Sequence, residues 1–265
     1  MSSLAPRAAL EAWWVPPGEL PLYGTTWWDS SSEVQRRDYA RQEAANGAAW
    51  IIQIELYLLL VLLRQFSAAD ARDRRQIARE SAEEWEHIRL FSEVIRVTGA
   101  APTIPNRLGR AVLFFLRRRS LGTLYPMVVT YLAESYVYAF HEACVNGDVP
   151  CDGRVTEVLD IHMRDERGHL AFAQRKIVAL WPVAGAFERC AIRVGAPLIA
   201  AVIGHAVFTI PAGQGRFECH RLAWKAPTHR ARVEARFERA VAFLGETGVV
   251  TRRSRGLWRR LRVAA

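Results

Sequence analysis

The stretch that decides the fold is "WIIQIELYLLLVLL", residues 50–63, which is apolar almost throughout but carries Glu55 near its middle. Its length is 14 residues, and a membrane-spanning helix needs roughly 18. The chain from Ser30 to about Gln65 lacks proline and has a helical spacing of apolar residues, and Ser30 with Glu33 forms a capping-box pattern. These features predict a long buried helix whose carboxylate needs a charged partner, because an unpaired buried carboxylate is costly.

Helical signals recur along the rest of the chain, and strand signals are scarce. Three further long helices are predicted, from Ala71 to about Val97, from about Arg107 to Val145 with a bend at Gly122 and Pro126, and from about Arg154 to Leu180. We therefore expect an all-α protein built on a four-helix bundle over residues 30–182. Residues 1–29, rich in Pro and Trp, are expected to form an extended arm over the core. Residues 183–265 are expected to add accessory helices to the same domain.

The composition describes a globular chain of 265 residues, 51% of them hydrophobic, which is enough for a large core. Its four cysteines form no CxxC pair and residues 1–30 do not resemble a secretory signal, so we expect a reducing, cytoplasmic location.

The net charge of +9 lies after residue 212, where 13 Lys and Arg residues accompany four Asp and Glu residues. Such an end favours an acidic partner such as a carrier protein, although a solvated helical face is the commoner reason. No stable nucleic-acid binding is expected.

Two of the predicted helices carry a Glu followed three residues later by a His, in "EEWEH" and "DERGH". Residues three apart on a helix project from one face, so each pair is able to grip one metal ion. The other two helices each place a single Glu in apolar surroundings. The six expected ligands are Glu55, Glu84, His87, Glu134, Glu166 and His169. One Glu from each of two helices and one ExxH from each of the others is the ligand pattern of di-iron and di-manganese carboxylate bundles.

Further residues lie close to these ligands along the helices. His162 precedes Glu166 by four residues, which places it on the same helical stripe and predicts an additional ligand. Glu83 and Asp165 each directly precede a ligand Glu, and we expect their carboxylates to orient an imidazole. Tyr131, Tyr138 and His141 share the helix face of Glu134 and are predicted to line a substrate pocket, with plain core packing as the alternative.

The chain resembles the AurF-type di-iron N-oxygenases, the p-aminobenzoate N-oxygenase group of the ferritin-like superfamily. The resemblance extends from "LYGTTWWDSSSEVQRRDYARQE" through "ESAEEWEHIRLF" to the basic C-terminus, and its most specific element is the HxxxExxH motif in "IHMRDERGHLAFAQRKI". It implies two iron ions held by the six ligands and His162. It also implies that a small-molecule amine is oxidised to hydroxylamine and nitro products. We further expect O2 as co-substrate, an external electron donor and a homodimer.

Other functions remain open on the residues alone. The same metal centre is able to support C-hydroxylation, desaturation or oxidative cleavage, with a carrier-bound substrate docked at the basic C-terminus. A third, non-redox interpretation is iron storage or a structural metal bundle, and storage predicts a cage with many irons per chain. A tRNA-modifying hydroxylase is a fourth, and it predicts RNA binding that weakens steeply with salt.

Overall fold

The computed structural model of the protein describes residues 12–67, 69–102, 123–205, 210–211 and 213–264. Within these ranges the chain is an all-α bundle of nine helices and has no β-strand, which confirms the predicted fold class. The helices are α1 (Thr26–Ser30), α2 (Glu33–Phe66), α3 (Ala71–Thr98), α4 (Leu124–Asn146), α5 (Gly153–Leu180), α6 (Ala186–His205), α7 (Arg216–Lys225), α8 (Pro227–Glu246) and α9 (Arg252–Arg260).

Helix α2 begins with a capping box two residues later than predicted. Ser32 and Gln35 form it, because each side chain accepts a hydrogen bond from the backbone N–H of the other residue, at 3.3 and 2.8 Å. Ser30 lies within α1, where its hydroxyl donates to the carbonyl of Trp27 at 3.1 Å. The predicted box of Ser30 and Glu33 is therefore wrong, because a Ser inside a helical turn is not available as a cap.

The bundle consists of two helical hairpins, α2 with α3 and α4 with α5. Helix α3 ends at Thr98 because Gly99 follows in the left-handed conformation, with φ of 61°. Helix α5 ends at Leu180, as predicted. Of the predicted third helix, residues 124–146 are observed, and the bend predicted at Gly122 lies outside the described residues. The hairpins place the middle of all four helices side by side.

Helix α2 contributes much of the core. By length and composition it is the one described helix apolar enough to cross a membrane, and 56% of its apolar window is buried inside the protein. A core helix of a soluble protein passes the same test, and here residues such as Ile54 and Leu58 belong to the main core cluster. The four cysteines are free thiols. The cytoplasmic location and the division into arm, bundle and accessory helices stay predictions.

The N-terminal arm packs on the core but is not simply extended. It forms a 3-10 turn at Pro17–Glu19 and the short helix α1, and Leu20 and Leu22 are fully buried. Arg232 of α8 donates hydrogen bonds to the carbonyls of Gly18 and Leu20, at 2.5 and 2.6 Å. Helix α8 therefore holds the arm against the bundle.

Candidate metal centre

The predicted ligands all lie in the middle of the four bundle helices and are all buried. Each of Glu55, Glu84, His87, Glu134, His162, Glu166 and His169 has at most 4% of its surface exposed. Six of the seven form two groups in which the potential ligand atoms lie within 4.8 Å of one another. One group is Glu55, His87, His162 and Glu166, and the other is Glu84, Glu166 and His169. Each group is able to hold a metal ion.

Two carboxylates lie between the groups. Glu84 places Oε1 3.2 Å from Nδ1 of His169 and Oε2 3.3 Å from Nδ1 of His87. Glu166 Oε1 lies 3.2 Å from Nε2 of His162 and 3.4 Å from Nδ1 of His169. The glutamates of both ExxH motifs therefore reach imidazoles of both groups, and Glu166 belongs to both groups, so these carboxylates would be able to contact two cations if both were bound.

Glu134 is buried near the centre but belongs to neither group. Together with Glu84 and His169 it lines a small cavity of about 10 Å³. That volume is close to the minimum for one water molecule. Glu134 therefore lies beside Glu84 and His169, but its oxygens are not part of either group of potential ligand atoms.

Two further carboxylates contact the outer nitrogens of the imidazoles, and they do so across the helix pair. Glu83 of α3 lies 3.1 Å from Nε2 of His169 on α5. Asp165 of α5 lies 3.4 Å from Nε2 of His87 on α3. An N–H on Nε2 donating to the carboxylate leaves the Nδ1 lone pair directed at the centre. Each carboxylate therefore orients the histidine of the opposite motif.

The electrostatics of the centre indicate an excess of negative charge. Burial, followed by the neighbouring carboxylate of Glu55, raises the pKa of Glu84 well above its usual range. Burial, followed by Glu166, does the same to the pKa of Glu134. Burial, the largest single cause, lowers the pKa of His169, but the carboxylates of Glu166, Glu134 and Glu80 together raise that pKa to about 11. The cluster without metal thus takes up protons, which bound cations would replace.

Several polar atoms of the centre are buried without a hydrogen-bond partner among the described residues. They are Oε2 of Glu55, Glu134 and Glu166, and Nδ1 of His162 and His169. Orphaned buried acceptors are rare in proteins and cost free energy. Oxygen and imidazole donors are ligands that iron accepts. The residues present therefore fit a pair of bound cations.

Glu80 is a buried carboxyl that the sequence analysis missed. It is 2% exposed, lines the small cavity with Glu84 and Glu134, and accepts a hydrogen bond from Nε2 of Gln76 at 2.7 Å. Burial raises its pKa to about 7. In sequence it belongs to a run of acidic residues typical of a solvated surface. Its distance of four residues from Glu84, which predicts a shared helix face, was the available signal.

A mostly apolar cavity of about 100 Å³ lies beside the centre. His141 lines it, as do Trp50 and Phe91. Tyr131 and Tyr138 instead line a separate cleft of about 560 Å³ between α4, α5 and α8. The structure thus separates these tyrosines from His141, and the prediction that all three line one substrate pocket stays untested.

Buried carboxylates on four facing helices, with imidazoles on α3 and α5 that could bind metal ions, are typical of the carboxylate di-metal bundles. The family model described as P-aminobenzoate N-oxygenase AurF matches residues 5–248, and the chain belongs to this family. The protein is therefore an oxygenase, a type of oxidoreductase. No curated protein and no solved structure gives a significant match.

Proposed function

We propose that the protein is a di-iron oxygenase that activates O2 and oxidises the nitrogen of an arylamine to hydroxylamine and nitro products. The observation that carries this proposal is the pair of buried Glu/His groups joined by Glu84 and Glu166, in a chain of the AurF family. The first step consumes O2, two electrons and two protons, converts R–NH2 to R–NHOH and releases one water. Each of the two further steps, to R–NO with two waters released and to R–NO2 with one, consumes another O2, two electrons and two protons. The electrons come from an external donor.

In this proposal the seven residues Glu55, Glu84, His87, Glu134, His162, Glu166 and His169 hold two iron ions. Bound iron supplies the redox chemistry and the Lewis acidity that the side chains lack. The protein contributes geometry: Glu83 and Asp165 fix the imidazole rings. The apolar cavity excludes water and encloses the body of the substrate.

The test is reconstitution with Fe(II), iron quantitation and aerobic turnover of a panel of arylamines with a chemical reductant. We expect about two irons per chain and hydroxylamine, nitroso or nitro products identified by mass spectrometry. Many irons per chain would instead indicate storage. A protein that binds two irons but yields no N-oxidised product, while a C-oxidised product forms from another substrate, would contradict the proposal.

A second candidate function keeps the metal centre and changes the substrate: C-hydroxylation or desaturation of a molecule attached to an acidic carrier protein. It is favoured by α9, where Trp258 is buried while the arginines face solvent. The exposed arginines are Arg252, Arg253, Arg255, Arg259 and Arg260. Turnover of a carrier-bound substrate, lost at high salt and in a variant with these arginines replaced by Gln, would favour it over oxidation of a free amine.

A further inference from the structure

We propose that His141 is a substrate-binding residue whose imidazole accepts a hydrogen bond from the amine N–H and so holds the nitrogen beside the metal centre. This inference rests on the proposed function, because it names the residue that recognises the amine. It assigns to His141 a role separate from metal binding.

The first observation is that His141 has no partner of its own. Its side chain is fully buried, and neither ring nitrogen has a hydrogen-bond partner among the described residues. An unpaired buried polar group is destabilising, and such groups are normally satisfied by protein, water or ligand. His141 lines the apolar cavity, so a molecule inside that cavity is the available partner.

The second observation is its position beside the centre. The ring centroid of His141 lies 4.9 Å from that of His162 and 5.8 Å from that of Phe91. His141 nevertheless belongs to neither group of residues able to hold a metal ion. It therefore lies next to a predicted ligand but outside the ligand set, where a substrate bound to it would be adjacent to the metals.

The third observation concerns the other polar groups of the cavity, among which the carboxylates of Glu19 and Glu43 already have interactions of their own. Arg236 forms an ion pair with Glu19 and donates from Nη1 to the hydroxyl of Tyr136 at 2.8 Å. Nε of Arg236 and Nε1 of Trp50 are buried without partners, like His141. Both of these nitrogens are donors only. Among the unpartnered groups that line the described part of the cavity, the imidazole is thus the one able to accept an amine N–H.

The test compares binding of aniline and of toluene, which share a shape but differ in the N–H group, to the metal-free protein by isothermal titration calorimetry. The ratio of aniline affinity to toluene affinity is the readout. We expect His141→Phe to lower this ratio about fivefold, the effect of one net hydrogen bond, while toluene affinity stays within a factor of about two. His141→Gln retains an acceptor and should retain at least part of the ratio. Tyr138→Phe, in the separate cleft, should leave it unchanged.

An unchanged ratio in His141→Phe, or a ratio that falls equally in Tyr138→Phe, would overturn the inference. Should His141→Phe fail to fold, the ratio is measured instead in His141→Leu, and the same criterion applies. Iron content after Fe(II) loading should equal that of the wild type in His141→Phe, and its loss would instead assign His141 to metal binding. These readouts do not depend on turnover, so an absence of N-oxidised products would count against the proposed function and not against His141.

Discussion

Glu55 places a charge in the most apolar helix of the bundle, and its surroundings explain how the fold tolerates it. The side chain is 2% exposed, and its Oε1 lies 3.0 Å from Nε2 of His162 on α5. Its second oxygen has no partner among the described residues. One oxygen of Glu55 thus has a protein partner, and the other is available to coordinate a metal ion.

Removing this carboxylate should weaken iron binding without unfolding the protein. In Glu55→Ala we expect iron content after Fe(II) loading to fall from about two to about one or fewer per chain, because one group loses an oxygen ligand. The measurement is elemental analysis together with circular dichroism. Glu33→Ala is the matched control, since Glu33 lies exposed on the same helix in an ion pair with Arg37. Two tightly held irons in Glu55→Ala would remove Glu55 from the ligand set.

Glu80 should make the stability of the metal-free protein depend on pH in an unusual direction. Its folded-state pKa of about 7 exceeds the ordinary 4.5, so the folded state binds the extra proton and stability falls as the pH rises between these values. Replacing the carboxyl by a neutral amide removes this loss. We therefore expect Glu80→Gln to be more stable than the wild type at pH 8 by about 1–3 kcal/mol, with little difference at pH 4.5.

Urea unfolding of the metal-free protein at both pH values measures this effect. Glu86→Gln is the control, because Glu86 is exposed and pairs with Arg89. A difference that is the same at pH 4.5 and pH 8 would show that Glu80 does not titrate in this range.

At the scale of elements, α3 and α5 support each other through the crossed carboxylates. Glu83→Gln should therefore weaken the metal site that contains His169, on the opposite helix, and not the site that contains its own neighbour His87. Loss of such an orienting partner typically costs about 10- to 100-fold in metal affinity. Chelator competition followed by metal titration gives the two affinities, with Asp165→Asn as the reciprocal variant. Equal weakening of both sites in each variant would contradict this division of roles.

The elements also show where sequence reasoning succeeds and where it fails. Each ExxH motif lies within a single helix. The helical repeat alone therefore predicts that Glu84 lies beside His87 and that Glu166 lies beside His169. The partner of each outer carboxylate depends on how α3 packs against α5, which no local pattern encodes. The helix face of Tyr131 likewise depends on which neighbours cover it, and here its hydroxyl accepts from Nε2 of Gln174 at 3.1 Å.

At the scale of the whole molecule, the arm and α8 together close the apolar cavity. Trp14 and Val15 of the arm line it, and so does Arg236 of α8. Arg232 holds the arm from the same helix. Segments far apart in the sequence, the arm and α8, therefore complete a wall to which the bundle helices also contribute.

Breaking this attachment should loosen the arm. In Arg232→Met we expect trypsin to cut α2 at Arg36 or Arg37 faster than in the wild type, because these two side chains donate hydrogen bonds to arm carbonyls and become accessible when the arm detaches. Hydrogen bonds from a charged donor such as Arg232 are worth about 1.5–3 kcal/mol. Limited proteolysis with mass spectrometry measures the rate of cutting. Arg239→Met is the matched control, since Arg239 lies on the same helix, is 75% exposed and pairs with Glu142. Equal rates in the two variants would show that Arg232 does not retain the arm.

The contribution of α8 to the cavity wall also determines at what stage of synthesis this wall is able to form. The ribosome makes α2 to α5 first, so the four helices that carry the predicted ligands are able to assemble before the C-terminal part emerges. Helix α8 comes later, at Pro227–Glu246, and until then the arm lacks the hydrogen bonds that Arg232 donates to it. A nascent chain that lacks α8 thus already contains the predicted ligands, but its cavity wall is complete only once α8 has been made.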